Sequence, residues 1–353
     1  MSTARIPALP DLSELEAGAA VVRLPMTVKF RGVTEREALL LHGPAGWGEF
    51  SPFLEYDDAE ASRWLAAGIE AAWEGFPPPV RAWVPVNATV PAVEAGQVRD
   101  VLAAYGPVQA VKVKVAERGQ TLADDVARVA AVREVLPEAD LRIDANAGWT
   151  VSEAVDAITL LAEFGLEYAE QPVPGINGLA EVRALLEARG TPVRIAADEA
   201  VRKAEDPLRV ARARAADLII VKAAPLGGVR RALEIVREAG LPAVVSSALD
   251  TSVGLAAGVA LAAALPSLPH ACGLGTGVLL AHDVVASPLV PVGGFISTES
   301  LMERATPDPG LLPRFAAPAE RRQWWLERLR RCHAHLAAHA ARSQPTTPNN
   351  GPT

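Results

Sequence analysis

Cysteine is nearly absent from this chain. Its 353 residues include two, Cys272 and Cys332, far apart and without metal-ligand spacing. A disulfide framework is not expected, and a reducing cytoplasm suits the chain best. Positive charge is not in excess either. The net charge is −8 and the arginines are scattered, so there is no electrostatic footprint for nucleic acid. No apolar run is long enough to cross a membrane, which takes about 20 residues. The longest, Val253 to Leu265, is mostly small residues and reads as a buried helix with Asp250, Thr251 or Ser252 as N-cap. The start, Met1 to Leu12, is interrupted by Pro7 and Pro10 and has no apolar core of a secretory signal. No G-x-G-x-x-G follows an early strand, so a dinucleotide-binding domain is not supported.

What is present divides into two patterns. Half of the residues are hydrophobic and 22% are charged, enough for a sizeable core and a solvated surface. The first part reads as α+β. Val21–Leu24, Ala38–His42 and Trp47–Phe50 are strands, and Asp57 and Asp58 open a helix with Trp64, Leu65, Ile69 and Trp73 on one face. Three prolines, Pro77 to Pro79, follow, and the domain boundary is placed there. Beyond it, eight short apolar runs recur at nearly even intervals: Val84–Val90, Val111–Val115, Leu141–Ala145, Tyr168–Pro172, Arg194–Glu199, Leu218–Ala223, Ala243–Ala248 and Ala271–Thr276. Helix-spaced segments such as Leu122–Val135 and Val151–Phe164 lie between most of them. Strand–helix alternation of this kind means a parallel sheet of the α/β class, and eight runs suffice to close a barrel. The expected organisation is an α+β capping domain over 1–80 and a barrel over 81–290. A segment over 291–342 packs back on the cap, and a disordered tail spans 343–353.

Function in such a barrel sits at the C-terminal ends of the strands, and the polar interruptions fall there. The second run carries Lys112 and Lys114, the third ends in Asp144, the fourth in Glu170, the fifth in Asp198 and Glu199, the sixth in Lys222, and the seventh in Ser246 and Ser247. Alone, each has an ordinary reading: a K-x-K as a solvated edge, an Asp as the N-cap of the next helix, the serines as turn chemistry. Together they do not, because buried charges need partners. Strands three to five are neighbours, so Asp144, Glu170 and Asp198 can converge, and three hard oxygen ligands suit Mg²⁺, with Mn²⁺ as a substitute. Strands two and six are opposite in an eight-stranded barrel, so Lys114 and Lys222 face each other across the mouth. Such a site removes the proton α to a carboxylate and stabilises the enediolate. The Gly-rich Gly273–Gly277 stretch, with Gly275 and Thr276, offers N–H groups to an anion. The expected partner is a small carboxylate, without nucleic acid or membrane; a monomer is compatible with the sequence.

This ordered set resembles the enolase superfamily, in the group related to muconate-lactonizing enzymes. The family pattern is K-x-K on strand two, metal-binding Asp, Glu and Asp on three to five, and a lysine on six, with a Lys or His base and Mg²⁺. The resemblance implies a (β/α)7β barrel of the modified TIM type under an α+β cap. No histidine stands at the seventh strand end, as in mandelate racemases, and no Asp-x-Asp on the eighth, as in dipeptide epimerases. Finer features are Lys29–Gly32 with Arg36-Glu37, Gly46–Pro52, Asp144–Trp149 and Ser246–Gly254. They are similar to the o-succinylbenzoate synthase branch. That branch implies magnesium-dependent dehydration of a cyclohexadiene carboxylate in menaquinone synthesis. N-succinylamino-acid racemases and muconate cycloisomerases are the alternatives on the same site. It also implies Lys114 as base and acid, Lys222 as electrostatic stabiliser, and Lys112, Asn146, Ser246, Ser247, Gly275 and Thr276 around the substrate. First-domain loops, Lys29–Gly32 and Ser51–Tyr56, would close the mouth.

Overall fold

The computed structural model describes residues 9–30, 33–201 and 206–343, with backbone alone at 28–30 and 343. The loop expected at Lys29–Gly32 and the tail expected over 343–353 therefore fall outside the described side chains.

The chain enters through α1 (Leu12–Ala17) and forms a three-stranded antiparallel sheet in the order β1 (Ala19–Phe30), β2 (Val33–Gly43), β3 (Gly46–Phe50). Four successive residues of β2, Ala38 to Leu41, are fully buried. Such a run means that both faces of the sheet are covered. Leu39, Leu41 and Phe50 pack with Trp64 and Leu65 of α2 (Asp58–Ile69). Ala38 and Leu40 pack on the other side with Val22, Leu24, Val253 and Leu280. Asp57 caps α2 by accepting from the Glu60 N–H at 2.8 Å. The helix widens into a π turn over Glu70–Glu74 and stops at Gly75, whose φ of +67° suits glycine.

The barrel then begins. The run Val84–Val90, expected as one strand, is two. β4 (Trp83–Pro85) pairs antiparallel with the late β12 (Phe295–Ser297), and β5 (Ala88–Val90) starts the parallel sheet. Through the rest of the barrel the chain alternates. It runs through α3 (Val98–Ala103), β6 (Ala110–Lys114), α4 (Leu122–Val135), β7 (Asp140–Asp144), α5 (Val151–Leu161), β8 (Leu166–Glu170), α6 (Gly175–Ala188) and β9 (Arg194–Ala197). It continues through α7 (Asp206–Arg212), β10 (Leu218–Val221), α8 (Ala223–Leu226), α9 (Val229–Ala239), β11 (Ala243–Val245) and α10 (Ser252–Ala264). The seven parallel strands neighbour one another in sequence order, β5 to β11.

The eighth run, Ala271–Thr276, makes no strand of its own. Only Cys272 and Gly273 bridge in parallel, to Val86 and Ser246, and that pair closes the barrel. Its glycines permit the close approach: a Cβ on Gly273 would sit 2.7 Å from Ser246 Oγ. The chain then coils into a 3₁₀ turn over Gly275–Leu279. With side chains alternating along each strand, Tyr168, Ala196, Leu218, Ile220 and Val244 form a compact apolar layer inside the barrel. The helices cover its outer face.

The remainder runs through β12, α11 (Leu301–Arg304) and α12 (Leu311–Arg314) into α13 (Ala319–Ser343). α13 lies along α2, burying Trp325, Leu329, Cys332 and Leu336 against the cap. Cap and barrel are also joined by Glu70, which accepts from the N–H groups of Val229 and Arg230, at 2.5 and 3.0 Å, at the start of α9. This contact requires glycine at 228, where a Cβ would meet Glu70 Oε2 at 1.9 Å. Among the described residues, no helix is long and apolar enough to cross a membrane.

Candidate active site

Strand register places the charged side chains. β6 and β7 pair Lys114 with Asp144, and β7 and β8 pair Asp144 with Glu170. Asp198 follows β9 and Lys222 follows β10. All five strand ends therefore point the same way in the parallel sheet. Lys112, Lys114, Asp144, Asn146, Asp198, Lys222, Ser246, Ser247 and Thr276 share the wall of one cavity at that end, and Glu170 lies just beneath. Lys114 and Lys222 come from strands four apart in the order.

The ammonium groups sit directly on the carboxylates. Lys112, buried, donates to Glu170 at 2.8 Å and lies 3.2 Å from Asp144. Lys114 donates to Asp144 at 2.5 Å and to Asn146 Oδ1 at 2.8 Å. Lys222 bonds Asp198. Burial works against the charges of Lys112, Asp144, Glu170 and Asp198. Burial raises Asp144, but the two lysines outweigh it and hold the carboxyl far below its usual range. Asp198 is likewise lowered, against burial, by Lys222. Glu170 goes the other way: burial, then the charge of Asp144, push it up to about 8, with Lys112 only partly offsetting them. Lys112 is raised well above its ordinary value, because Glu170 and Asp144 overcome its burial.

The donor set fits a hard divalent cation. It is made of oxygen alone and comes from three adjacent strand ends, and Glu170 is raised by both other carboxylates. Among the described residues no three His, Cys, Asp or Glu side chains are grouped closely enough to hold a metal ion as they stand. Buried carboxylates draw the nearest ammonium groups, and each lysine reaches onto them.

The other expected positions separate. Ser247 Oγ donates to the Gly273 carbonyl at 3.2 Å and lies 2.6 Å from Thr276 Oγ1; Ser246 Oγ is 3.4 Å from the same carbonyl. Gly275 is not on the cavity wall: a Cβ there would face the Asn87 carbonyl and the Tyr105 ring, both at 3.1 Å. Asn146 adopts φ +44°, a left-handed conformation that Asn tolerates, and donates to Glu199 at 3.2 Å. Thr251 caps α10, while Asp250 accepts from the Ala248 N–H and Ser252 bonds Asp283.

Sequence reasoning missed several wall residues. Thr89 is one of two polar side chains in its strand run, and that interruption was the available signal. Ala248 and Leu249 had no such signal. Phe53, from the Ser51–Tyr56 segment, is also on the cavity wall. Gln171 accepts from the N–H groups of Asp198 and Ala200, at 2.9 and 3.1 Å, and ties the fourth strand end to the fifth.

Known proteins resemble this chain in sequence and in fold. Residues 21–72 match the family model described as Enolase N-terminal domain-like, and residues 94–311 the one described as Enolase C-terminal domain-like. The o-succinylbenzoate synthase of Mycobacterium tuberculosis is 54% identical over 332 residues, covering 94% of this chain and 98% of that protein. That of Mycolicibacterium smegmatis is 54% identical over 330 residues, 93% and 98% of the two chains. Among solved structures, muconate lactonizing enzyme from Pseudomonas fluorescens, complexed with muconolactone, superposes with a TM-score of 0.72. Its identity is 21%, covering 85% of this chain and 98% of that one, a likeness of fold.

Proposed function

We infer the function from one premise: the chain belongs to the enolase superfamily, and within it to the o-succinylbenzoate synthases. It is a hydro-lyase that forms o-succinylbenzoate. The observation that carries this is 54% identity to such a synthase over 94% of the chain.

The substrate is 2-succinyl-6-hydroxy-2,4-cyclohexadiene-1-carboxylate, and the reaction is a syn-dehydration in menaquinone synthesis. The two free, buried cysteines suit a reducing cytoplasm. Asp144, Glu170 and Asp198 would hold Mg²⁺, which supplies positive charge for the substrate carboxylate when bound. Lys114, once its ammonium has given up a proton to solvent, takes as the neutral amine the proton from the carbon bearing that carboxylate, leaving an enediolate. The same lysine, now protonated, gives its proton to the hydroxyl leaving from the same face. The proton and the hydroxide leave together as water, and the ring becomes aromatic. Lys222, opposite, remains an ammonium and stabilises the negative charge. Lys112 and Asn146 fix Lys114 and its neighbours. Ser246, Ser247 and Thr276 line the side where the succinyl group lies.

The direct test is turnover of the cyclohexadiene substrate with magnesium, followed by its ultraviolet absorbance and by mass analysis of the product. o-Succinylbenzoate should appear and water should be lost. A folded, magnesium-supplied protein that makes none, yet racemises an N-succinylamino acid, would overturn the assignment.

A further inference from the structure

One buried guanidinium is used by no step above. Arg36 lies on β2 of the cap and is 4% exposed. It reaches across to the barrel, where Nε donates to the Leu249 carbonyl at 3.0 Å and Nη2 lies 3.3 Å from that of Ala248. The same Nη2 bonds the Ser51 carbonyl and lies 3.1 Å from Ser51 Oγ. The guanidinium carbon stands 4.7 Å from the centre of the Phe53 ring.

Three of these partners matter to the cavity. Phe53, Ala248 and Leu249 are all on its wall, while Arg36 is not. Ala248 and Leu249 follow Ser246 and Ser247 directly, and Leu249 has a φ of +61°. A leucine in the left-handed region is unfavourable unless its surroundings hold it there. Arg36 takes its carbonyl. Glu49, bonded to Ser51 Oγ at 2.5 Å, holds the other side of the turn through Thr251 and the N–H of Gly254. Arg328 of α13 takes the carbonyls of Phe53 and Tyr56 at the far end of the covering segment. Arg36 and Glu49 each join the covering segment to the barrel loop through one side chain, and it is Arg36 that takes the carbonyls of Ala248 and Leu249.

We propose that Arg36 is a positioning residue, whose planar fork locks the Ser51–Phe53 end of the covering segment to the Ala248–Leu249 turn and so shapes the wall facing Lys222. It touches no reacting atom. Its role follows from geometry that only guanidinium supplies: several donors in one plane and an aromatic ring stacked on its face. The proposal rests on reading the cavity as the o-succinylbenzoate site.

The test uses Arg36→Met and Arg36→Lys in the full chain, alongside wild type. Four quantities are measured: kcat, KM, the Kd of o-succinylbenzoate, and amide hydrogen exchange of 51–56 and 247–251 without ligand. Arg36→Met should weaken KM and Kd about tenfold or more, the worth of a lost charge-assisted hydrogen bond. Its kcat should change far less, and exchange should rise in both segments but not in β6 to β10. Arg36→Lys keeps charge and some reach, so it should recover part of the lost affinity; it also serves if the methionine variant does not fold. A double-variant cycle with Phe53→Leu should be non-additive in Kd. Unchanged Kd and exchange in a folded variant overturn the proposal. So does a uniform loss of Tm and kcat with KM unmoved. If wild type forms no o-succinylbenzoate, the reaction assignment falls, and exchange at 247–251 still judges the clamp.

Discussion

The barrel buries charge at both ends, and the two ends are built differently. At the floor, Arg142 is fully buried and donates to Glu167 at 2.6 Å, to the Ala271 carbonyl at 2.6 Å and to Asn87 at 3.2 Å. His270 Nδ1 lies 2.5 Å from the other Glu167 oxygen. Glu167 is lowered: burial opposes its charge, but His270 and Arg142 prevail. At the mouth, Asp144 takes two lysines, while Glu170, beside it, is pushed up to about 8. The apolar layer of Tyr168, Ala196, Leu218, Ile220 and Val244 adjoins the floor, with the Tyr168 ring 5.0 Å from the Arg142 guanidinium. Each floor carboxylate oxygen has its own partner. The mouth sets like charges side by side, an arrangement costly to folding and suited to a site that binds charge from outside. The floor should therefore act on stability and the mouth on turnover.

The largest expected effect lies at the mouth. Lys114→Ala should lose essentially all dehydration, since proton transfer alone is worth roughly 10²–10⁴-fold and the same group also serves as acid. Its melting temperature should hold, because Asp144 keeps Lys112 at 3.2 Å. Lys222→Ala should be nearly as inactive; Lys222→Arg keeps charge with altered reach and should retain a trace. Full turnover in the Lys114 variant would show that the base has been misassigned. A fall in Tm matching the loss of activity would erase the contrast between the two ends.

Next in size is metal dependence, also confined to the mouth. Chelation should abolish turnover, and Mg²⁺ or Mn²⁺ should restore it. The metal should raise the wild-type Tm, because a ligand that binds only the folded state stabilises it. Asp198→Asn should weaken that rise, as read by calorimetry or a metal titration, with the fold intact. An equal metal-induced rise in the variant would remove Asp198 from the ligand set.

How this contrast came to be half visible in the sequence is instructive. The mouth was legible because charge interrupts apolar runs at their C-terminal ends: Lys114, Asp144, Glu170, Asp198, Lys222. Parity and strand order then place them. The lysine–carboxylate contacts were not legible, because they depend on how far flexible ammonium stems reach. Nor was the split of Val84–Val90, where β4 turns away to pair with β12 some two hundred residues later, a partner no local pattern reveals. The eighth strand failed for a related reason. Its glycines fit close packing, and only Cys272 and Gly273 remain paired. His270, just before the eighth run, bonds Glu167 at the floor. The floor cluster itself went unseen, since Arg142 and Glu167 sit at strand positions where charge looks like an edge.

At the floor, Arg142→Met should act on stability. Removing one partner of a buried pair leaves the other charge uncompensated, at a cost of roughly 3 kcal/mol, the low end for such a break because Glu167 keeps His270. Urea unfolding measures it. KM and kcat should stay near wild type at temperatures where the variant is folded. Loss of turnover without loss of stability would mean that the floor communicates with the mouth through the apolar layer, and that the division between the ends is wrong.

The smallest effect is the acid dependence of that same pair. A carboxyl whose folded-state value is lowered contributes stability that is fully present above its unfolded value, about 4.3 for Glu. That contribution is lost as pH falls through the folded value. Glu167 is such a group, faced by Arg142, His270 and Tyr168. Glu167→Gln removes its titration while keeping a side chain of similar shape. Wild type should therefore exceed the variant in Tm above about pH 5, and that margin should shrink as pH drops below about 4. The mouth carboxylates are common to both proteins and cancel in the difference. A margin that stays constant down to pH 3, or one that grows, would show that Glu167 is not held ionised by its neighbours. The floor would then be neutral packing rather than a satisfied ion pair.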